Sequence, residues 1–239
     1  MNADRDLLIR CIDLTSLGDD DTPRTVDALC ARAAAPVPDR PELNVAAVCV
    51  WPRFAGQSRD RLAQTSVRVA CATGGFPVPD EPLAQRLAQI RAAVDAGAQE
   101  VDVVCNRWLL EDPAAFAFEL EATRAAAGGA IWKAILETGA LTTDGTRQVC
   151  DAAIVAGADF LKTSTGMGAP GATPEAVAIL LERIAASDRP VGLKVSGGIR
   201  AMGQASGYLD LVRGVLGTAW PTPVTFRIGA SALLDALVA

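Results

Sequence analysis

Short runs dense in Val, Ile, Ala and Leu recur along the chain at about Leu8–Asp13, Asn44–Val50, Val67–Thr73, Glu100–Asn106, Ala130–Glu137, Asp159–Ser164, Val191–Ser196 and Thr225–Gly229. Runs of this length and composition read as strands, and the segments between them carry a helical period instead. Between Asp80 and Gly97, for example, Leu83, Leu87, Ile90 and Val94 fall on one stripe, with Gly97 placed to end the helix. Thr173-Pro174-Glu175 opens another helix with a capping hydroxyl, a first-turn proline and an acid near the positive end of the dipole. Its apolar face continues through Val177, Leu180, Leu181 and Ile184. Eight strands alternating with helices predict a closed parallel (β/α)8 barrel, a TIM barrel, rather than a sandwich or bundle.

A faint repeat supports that plan. Ala96-Gly97-Ala98 and Ala156-Gly157-Ala158 each end a helix and lead into a strand, and the fifth residue after each glycine is charged: Asp102 and Lys162. Equal offsets along strands whose side chains alternate predict that both point into the barrel. The chain has 239 residues, half of them apolar, which suits one barrel domain spanning 1–239. The segment Ala35–Pro41, rich in proline, reads as a loop before the second strand.

Net charge is −6 and no stretch concentrates Lys or Arg, so a nucleic-acid partner is not expected. The N-terminus is polar, with no apolar signal core, and no run of about 18 apolar residues occurs, so neither membrane association nor export is expected and a cytoplasmic location is. The six cysteines lie in apolar runs without a CxxC pair and read as buried thiols. Histidine is absent, which removes Ser-His-Asp and Cys-His nucleophiles and imidazole-built zinc sites. No metal and no cofactor is called for.

What remains is lysine. Only three of the 22 basic residues are lysines, and each interrupts an apolar run, as Lys133, Lys162 and Lys194. Asp102 and the three lysines are spaced by 31, 29 and 32 residues, each close to one strand-helix-strand unit, so four adjacent strands each offer one ionisable group. Lysines crowded around a single aspartate leave excess positive charge, which lowers an amine's pKa and makes it a nucleophile. The inert alternative is an ion-pair network, and Lys133, in the most aromatic and aliphatic run, suits that role best.

Phe160-Leu161-Lys162-Thr163-Ser164-Thr165-Gly166 resembles the Schiff-base strand of the deoxyribose-phosphate aldolase family. Collinear matches span nearly the whole chain: Ile12-Asp13-Leu14-Thr15, Ala47-Val48-Cys49-Val50-Trp51, Glu100-Val101-Asp102, Ile135-Leu136-Glu137-Thr138-Gly139, Gly192-Leu193-Lys194-Val195-Ser196-Gly197-Gly198-Ile199-Arg200 and Arg227-Ile228-Gly229-Ala230-Ser231. The resemblance implies a metal-free class I aldolase that cleaves 2-deoxyribose 5-phosphate to acetaldehyde and glyceraldehyde 3-phosphate. By it Lys162 forms the imine, Lys194 lowers its pKa, and Asp102 moves protons. Asp13 matches an interior carboxylate with either a direct or an ion-pairing role, and Cys49 a strand cysteine near the pocket, where packing is its expected role. Thr165, Gly166, Gly197, Gly198, Gly229 and Ser231 fall at the phosphate end, although turn geometry alone would also explain the glycines.

Two departures stand there: Met167 where the family commonly has lysine, and Ala232 where it has a second serine. They predict a relaxed phosphate requirement. The sequence also ends at Ala239 where many members carry a tail tyrosine; its one tyrosine is Tyr208, so slower aldol proton exchange is expected. Other readings stay open: another Schiff-base aldolase acting on non-phosphorylated aldehydes, a sugar-phosphate isomerase, or a non-catalytic binding barrel. A small aldehyde or sugar phosphate is the expected partner, and a homodimer is left open.

Overall fold

The computed structural model describes residues 3–168 and 170–239. Eight parallel strands close into a barrel in chain order: β1 (Ile12–Thr15), β2 (Ala47–Val50), β3 (Arg68–Thr73), β4 (Glu100–Val104), β5 (Ile131–Ile135), β6 (Phe160–Lys162), β7 (Gly192–Ser196) and β8 (Phe226–Ala230). Helix α1 (Ala3–Arg10) precedes β1, and the outer layer consists of α2 (Pro23–Ala34), α3 (Ala55–Leu62), α4 (Leu83–Asp95), α5 (Pro113–Ala127), α6 (Thr143–Val155), α7 (Pro174–Ala185), α8 (Met202–Leu216) and α9 (Leu233–Val238). The architecture is the expected one. Among the described residues no helix is long and apolar enough to cross a membrane.

Two local expectations shift. Leu8–Arg10 is the last turn of α1, not the first strand; Leu8 and Ile9 are buried all the same, on the inner face of that helix. On α4 the fully buried positions are Arg86, Ile90 and Ala93, while Leu83, Leu87 and Val94 are only half-buried. Arg86 is tolerated there because its guanidinium donates to Glu119 at 2.6 Å and to the carbonyls of Gly74 and Val104. Helix α7 forms as read: the Thr173 side chain accepts from Ala176 N, and Val177, Leu180, Leu181 and Ile184 are buried.

Alternation along the strands sorts the core. Outward residues such as Val48, Val69, Val101, Trp132, Leu161, Leu193 and Ile228 join the apolar layer beneath the helices. Inward positions follow another logic. Ala47, Cys49 and Ala70 form a separate small-residue cluster on β2 and β3, and long charged chains from β1, β4, β5, β6, β7 and β8 occupy the rest. Small walls on one side leave volume for lysine and arginine reaching across from the other.

Candidate active site

The ionisable groups predicted to converge do so. Lys162 Nζ and Lys194 Nζ each donate to the same oxygen of Asp102 at 2.7 Å, and Lys133 Nζ donates to its other oxygen at 3.0 Å. Register explains the meeting, because Asp102 pairs with Lys133 across β4 and β5, and Lys162 with Lys194 across β6 and β7. All four are at most 3 % exposed.

Spacing put one aspartate among three lysines and the family resemblance added Asp13; the interior holds a third carboxylate, Glu100. Asp13 takes Lys194 at 2.6 Å, Lys133 at 3.0 Å and Arg227 at 2.6 Å. Glu100 takes Lys133 at 2.5 Å and Arg227 at 3.0 Å. Glu100 and Arg227 were present in the quoted motifs without a role. The signal was available: Glu100 sits two residues before Asp102 and Arg227 pairs in register with Lys194, so both share the inward face.

Four buried cations (Lys133, Lys162, Lys194, Arg227) thus face three buried carboxylates. Removing a charged group from water is costly unless it is paired, so the interior balances when one cation gives up its proton. Geometry singles out Lys162, whose one ion-pair partner among the described residues is Asp102, whereas Lys194 has two carboxylate partners and Lys133 three. Burial pushes the Lys162 pKa below the ordinary lysine range; Asp102 opposes that shift and the Lys194 ammonium reinforces it. The sequence had assigned the depression to adjacent positive charge first, whereas desolvation leads. Burial also disfavours charge on Lys194 and Lys133, but their carboxylates outweigh it and hold both pKa values above the usual range. Burial pushes the Asp13 and Asp102 pKa values up, but the three cations around each together outweigh it and hold both well below the usual carboxylate range.

Lys162 is the last residue of β6 and the member of this cluster that opens onto a cavity of about 330 Å3 at the C-terminal mouth of the barrel. Active sites of this fold lie at that end. Thr165, Gly166, Gly197, Gly198, Gly229 and Ser231 line the cavity as expected. Asp13 and Cys49 do not: Asp13 is wholly enclosed by its three cations, and Cys49 packs against Ala47 and Ala70 with burial raising its thiol pKa. All six cysteines are free and buried.

Gly166, Gly197 and Gly198 adopt φ values of +82°, +95° and +81°, so their backbone demands glycine irrespective of ligand. Gly229 lies inside β8, where a Cβ would stand 3.0 Å from Ser196 Cβ and 3.1 Å from Lys194 Cε; its absence makes room for the lysine. Loops after β6 and β7 touch at Gly171, where a Cβ would sit 2.2 Å from the Gly197 carbonyl oxygen. Glu137, in the left-handed region at φ +55°, accepts from Thr165 Oγ1 at 2.7 Å and fixes the start of the β6 loop. Tyr208 lies outside the cavity lining, donating from α8 to the Ala172 carbonyl at 2.8 Å.

Two features at this end of the barrel went unread. Arg200, exposed at the rim, supplies a cation near Met167. Phe76 follows the Gly74-Gly75 turn after β3, with its ring 5.8 Å from Lys162 Nζ and edge-on to Trp51, which adds an apolar wall beside the amine.

A parallel barrel carrying a buried amine of lowered pKa at its catalytic mouth defines a lysine-centred barrel enzyme. The chain matches the DeoC/LacD family aldolase description over residues 7–215, and it belongs to that family. It is 39 % identical over 234 residues to a deoxyribose-phosphate aldolase of Agrobacterium fabrum, covering 96 % of this chain and 88 % of that one. Among solved structures, the deoxyribose phosphate aldolase of Aeropyrum pernix, reported as a tetramer, superposes with a TM-score of 0.81 at 26 % identity, covering 98 % of this chain and 90 % of the other. A candidate deoxyribose-phosphate aldolase of Coccidioides immitis gives 0.84 at 31 % identity, covering 97 % and 85 %.

Proposed function

We propose that the chain is a class I aldolase that cleaves 2-deoxyribose 5-phosphate reversibly through an imine on Lys162. The observation that carries this reading is the charge balance around Asp102, which leaves Lys162 as the one interior lysine suited to a neutral amine at the cavity floor. The free amine adds to the C1 aldehyde of the open-chain sugar, and loss of water gives the iminium. Removal of the C3 hydroxyl proton then breaks the C2–C3 bond, releasing glyceraldehyde 3-phosphate and leaving an enamine. Protonation at C2 and hydrolysis release acetaldehyde and restore the amine. Asp102, ionised and bonded to Lys133 and Lys194 as well as Lys162, is suited to take up and return protons at the amine. Lys194, with two carboxylate partners, stays charged and keeps its neighbour neutral.

Phosphate recognition falls to the backbone of Gly166, Gly197 and Gly198, Ser231 and Arg200. With Met167 exposed where the family commonly has a lysine, one cation of the rim is gone, and a charge-assisted hydrogen bond contributes roughly 1.5–3 kcal/mol. The preference for phosphorylated over free deoxyribose is therefore reduced but retained through Arg200. Incubation with acetaldehyde, reduction by borohydride and peptide mapping test the chemistry. Modification at Lys162 is expected; modification at Lys194 instead would reverse the roles. A preference for the phosphorylated sugar of many thousandfold would overturn the relaxed specificity.

A further inference from the structure

The ion-pair chain beginning at Lys162 does not stop at Asp13. It runs on through Arg227 and Glu100 to Arg68, at the opposite, N-terminal mouth of the barrel. There a second cavity of about 210 Å3 is lined by Arg10, Arg68 and Arg227 together with Asn44 and Ser66. Three arginines on one small cavity are unexpected in a chain of net charge −6. Asp13 and Glu100 take up Arg227, but neighbouring carboxylates do not use up Arg10 or Arg68. Glu100 is already bound on both oxygens by Lys133 and Arg227, and Arg68 reaches it only at 3.7 Å with its side chain 48 % exposed. Arg10 makes no ion pair among the described residues; the nearby Asp6 and Glu42 are both held by Arg40. Ser66 donates to Asn44 Oδ1 at 3.2 Å, which leaves the Asn44 amide N–H groups for another acceptor.

We propose that this cavity is a binding site for a small oxyanion of phosphate size, held by Arg10, Arg68 and Asn44, and that its occupancy is felt at Lys162. Guanidinium forks and an amide donor suit tetrahedral oxyanions. The coupling has a definite sign. An anion beside Arg68 and Arg227 adds negative charge to one end of a network in which a single proton is in balance, and so favours a charged Lys162. Occupancy lowers turnover at neutral pH and moves the acid limb of the activity profile upward by roughly half a unit, a size set by a charge acting across the barrel at high effective dielectric. This second half rests on Lys162 as the nucleophile; the binding half does not.

The test is titration of the full chain with inorganic phosphate by calorimetry, alongside Arg10→Gln and Ser66→Trp variants, the second filling the cavity from an exposed position. Activity is followed with non-phosphorylated deoxyribose, with and without phosphate. Expected are two phosphate sites in the parent, one in each variant, basal activity unchanged in both, and a component of phosphate inhibition that substrate does not relieve and both variants lose. One site in the parent, unaffected by either variant, would overturn the anion site. Two sites with identical inhibition in parent and variants would overturn the coupling. A chain without aldol activity would refute the proposed function while leaving the binding result to stand.

Discussion

Lys162 and Lys194 donate to the same oxygen of Asp102 at 2.7 Å each, so their nitrogens lie no farther apart than twice that distance. Replacing Lys194 with methionine keeps most of the apolar stem and removes the charge. At about 5 Å and an effective dielectric of about 20, one unit charge contributes roughly 3 kcal/mol, or about 2 pKa units. Counting charges points the same way. Three buried carboxylates would then face Lys133 and Arg227, and the third cation has to be Lys162. Burial still lowers its pKa, because desolvation is the larger cause, but the reactive fraction near neutrality falls about a hundredfold. The assay is the initial rate of borohydride-trapped adduct with acetaldehyde, measured against pH. The parent rate climbs as pH rises through the Lys162 pKa; in the variant the same climb appears about two units higher and approaches the parent plateau. A variant whose limb stays in place while the plateau falls would refute this role for Lys194.

Asp102→Asn leaves three buried lysines without their shared acceptor charge; it should abolish adduct formation and cost about 3–5 kcal/mol in denaturant unfolding. Stability against pH should form a broad plateau. Asp13 and Asp102 have folded pKa values below their unfolded ones, so their contribution is full above the ordinary carboxylate range near ~4 and fades as pH falls. Lys133 and Lys194 have raised values, so theirs is full below about 10 and is lost as pH rises through the folded pKa; thermal melts across pH should show both edges. Met167→Lys should raise the kcat/KM ratio of phosphorylated to free sugar by roughly ten- to a hundredfold, mainly through KM. Gly171→Ala places a methyl against the Gly197 carbonyl, and loop displacement should raise KM for the phosphorylated sugar while leaving acetaldehyde trapping on Lys162 nearly unchanged.

The barrel was legible because its strands are short apolar runs at near-regular intervals, and the meeting of three lysines at Asp102 because lysine is so scarce that three interruptions of apolar sequence stand out. Leu8–Arg10 misled because a short buried helix and a buried strand share the same apolar density. On α4, Arg86 was unreadable as a core residue because its burial depends on Glu119, 33 positions away. Glu100 and Arg227 escaped for a similar reason: a charged residue at a strand's first turn reads as a solvated edge until barrel closure brings the two together. Phe76 and Arg200 sit on loops, where no periodicity announces which way a side chain turns.

Barrels of this architecture usually fill their interior with stacked branched hydrocarbons. Here ions fill much of it. Exposing polar surface lowers the heat capacity of the unfolded chain, whereas exposing apolar surface raises it, so unfolding this barrel should show a smaller heat-capacity increment than an apolar-filled one of equal length. Its free energy of unfolding then bends less sharply with temperature. Hydration of charged groups also becomes less favourable on warming, which favours keeping these ions inside. The same buried network that disfavours charge on Lys162 should thereby flatten the thermal profile of the whole domain.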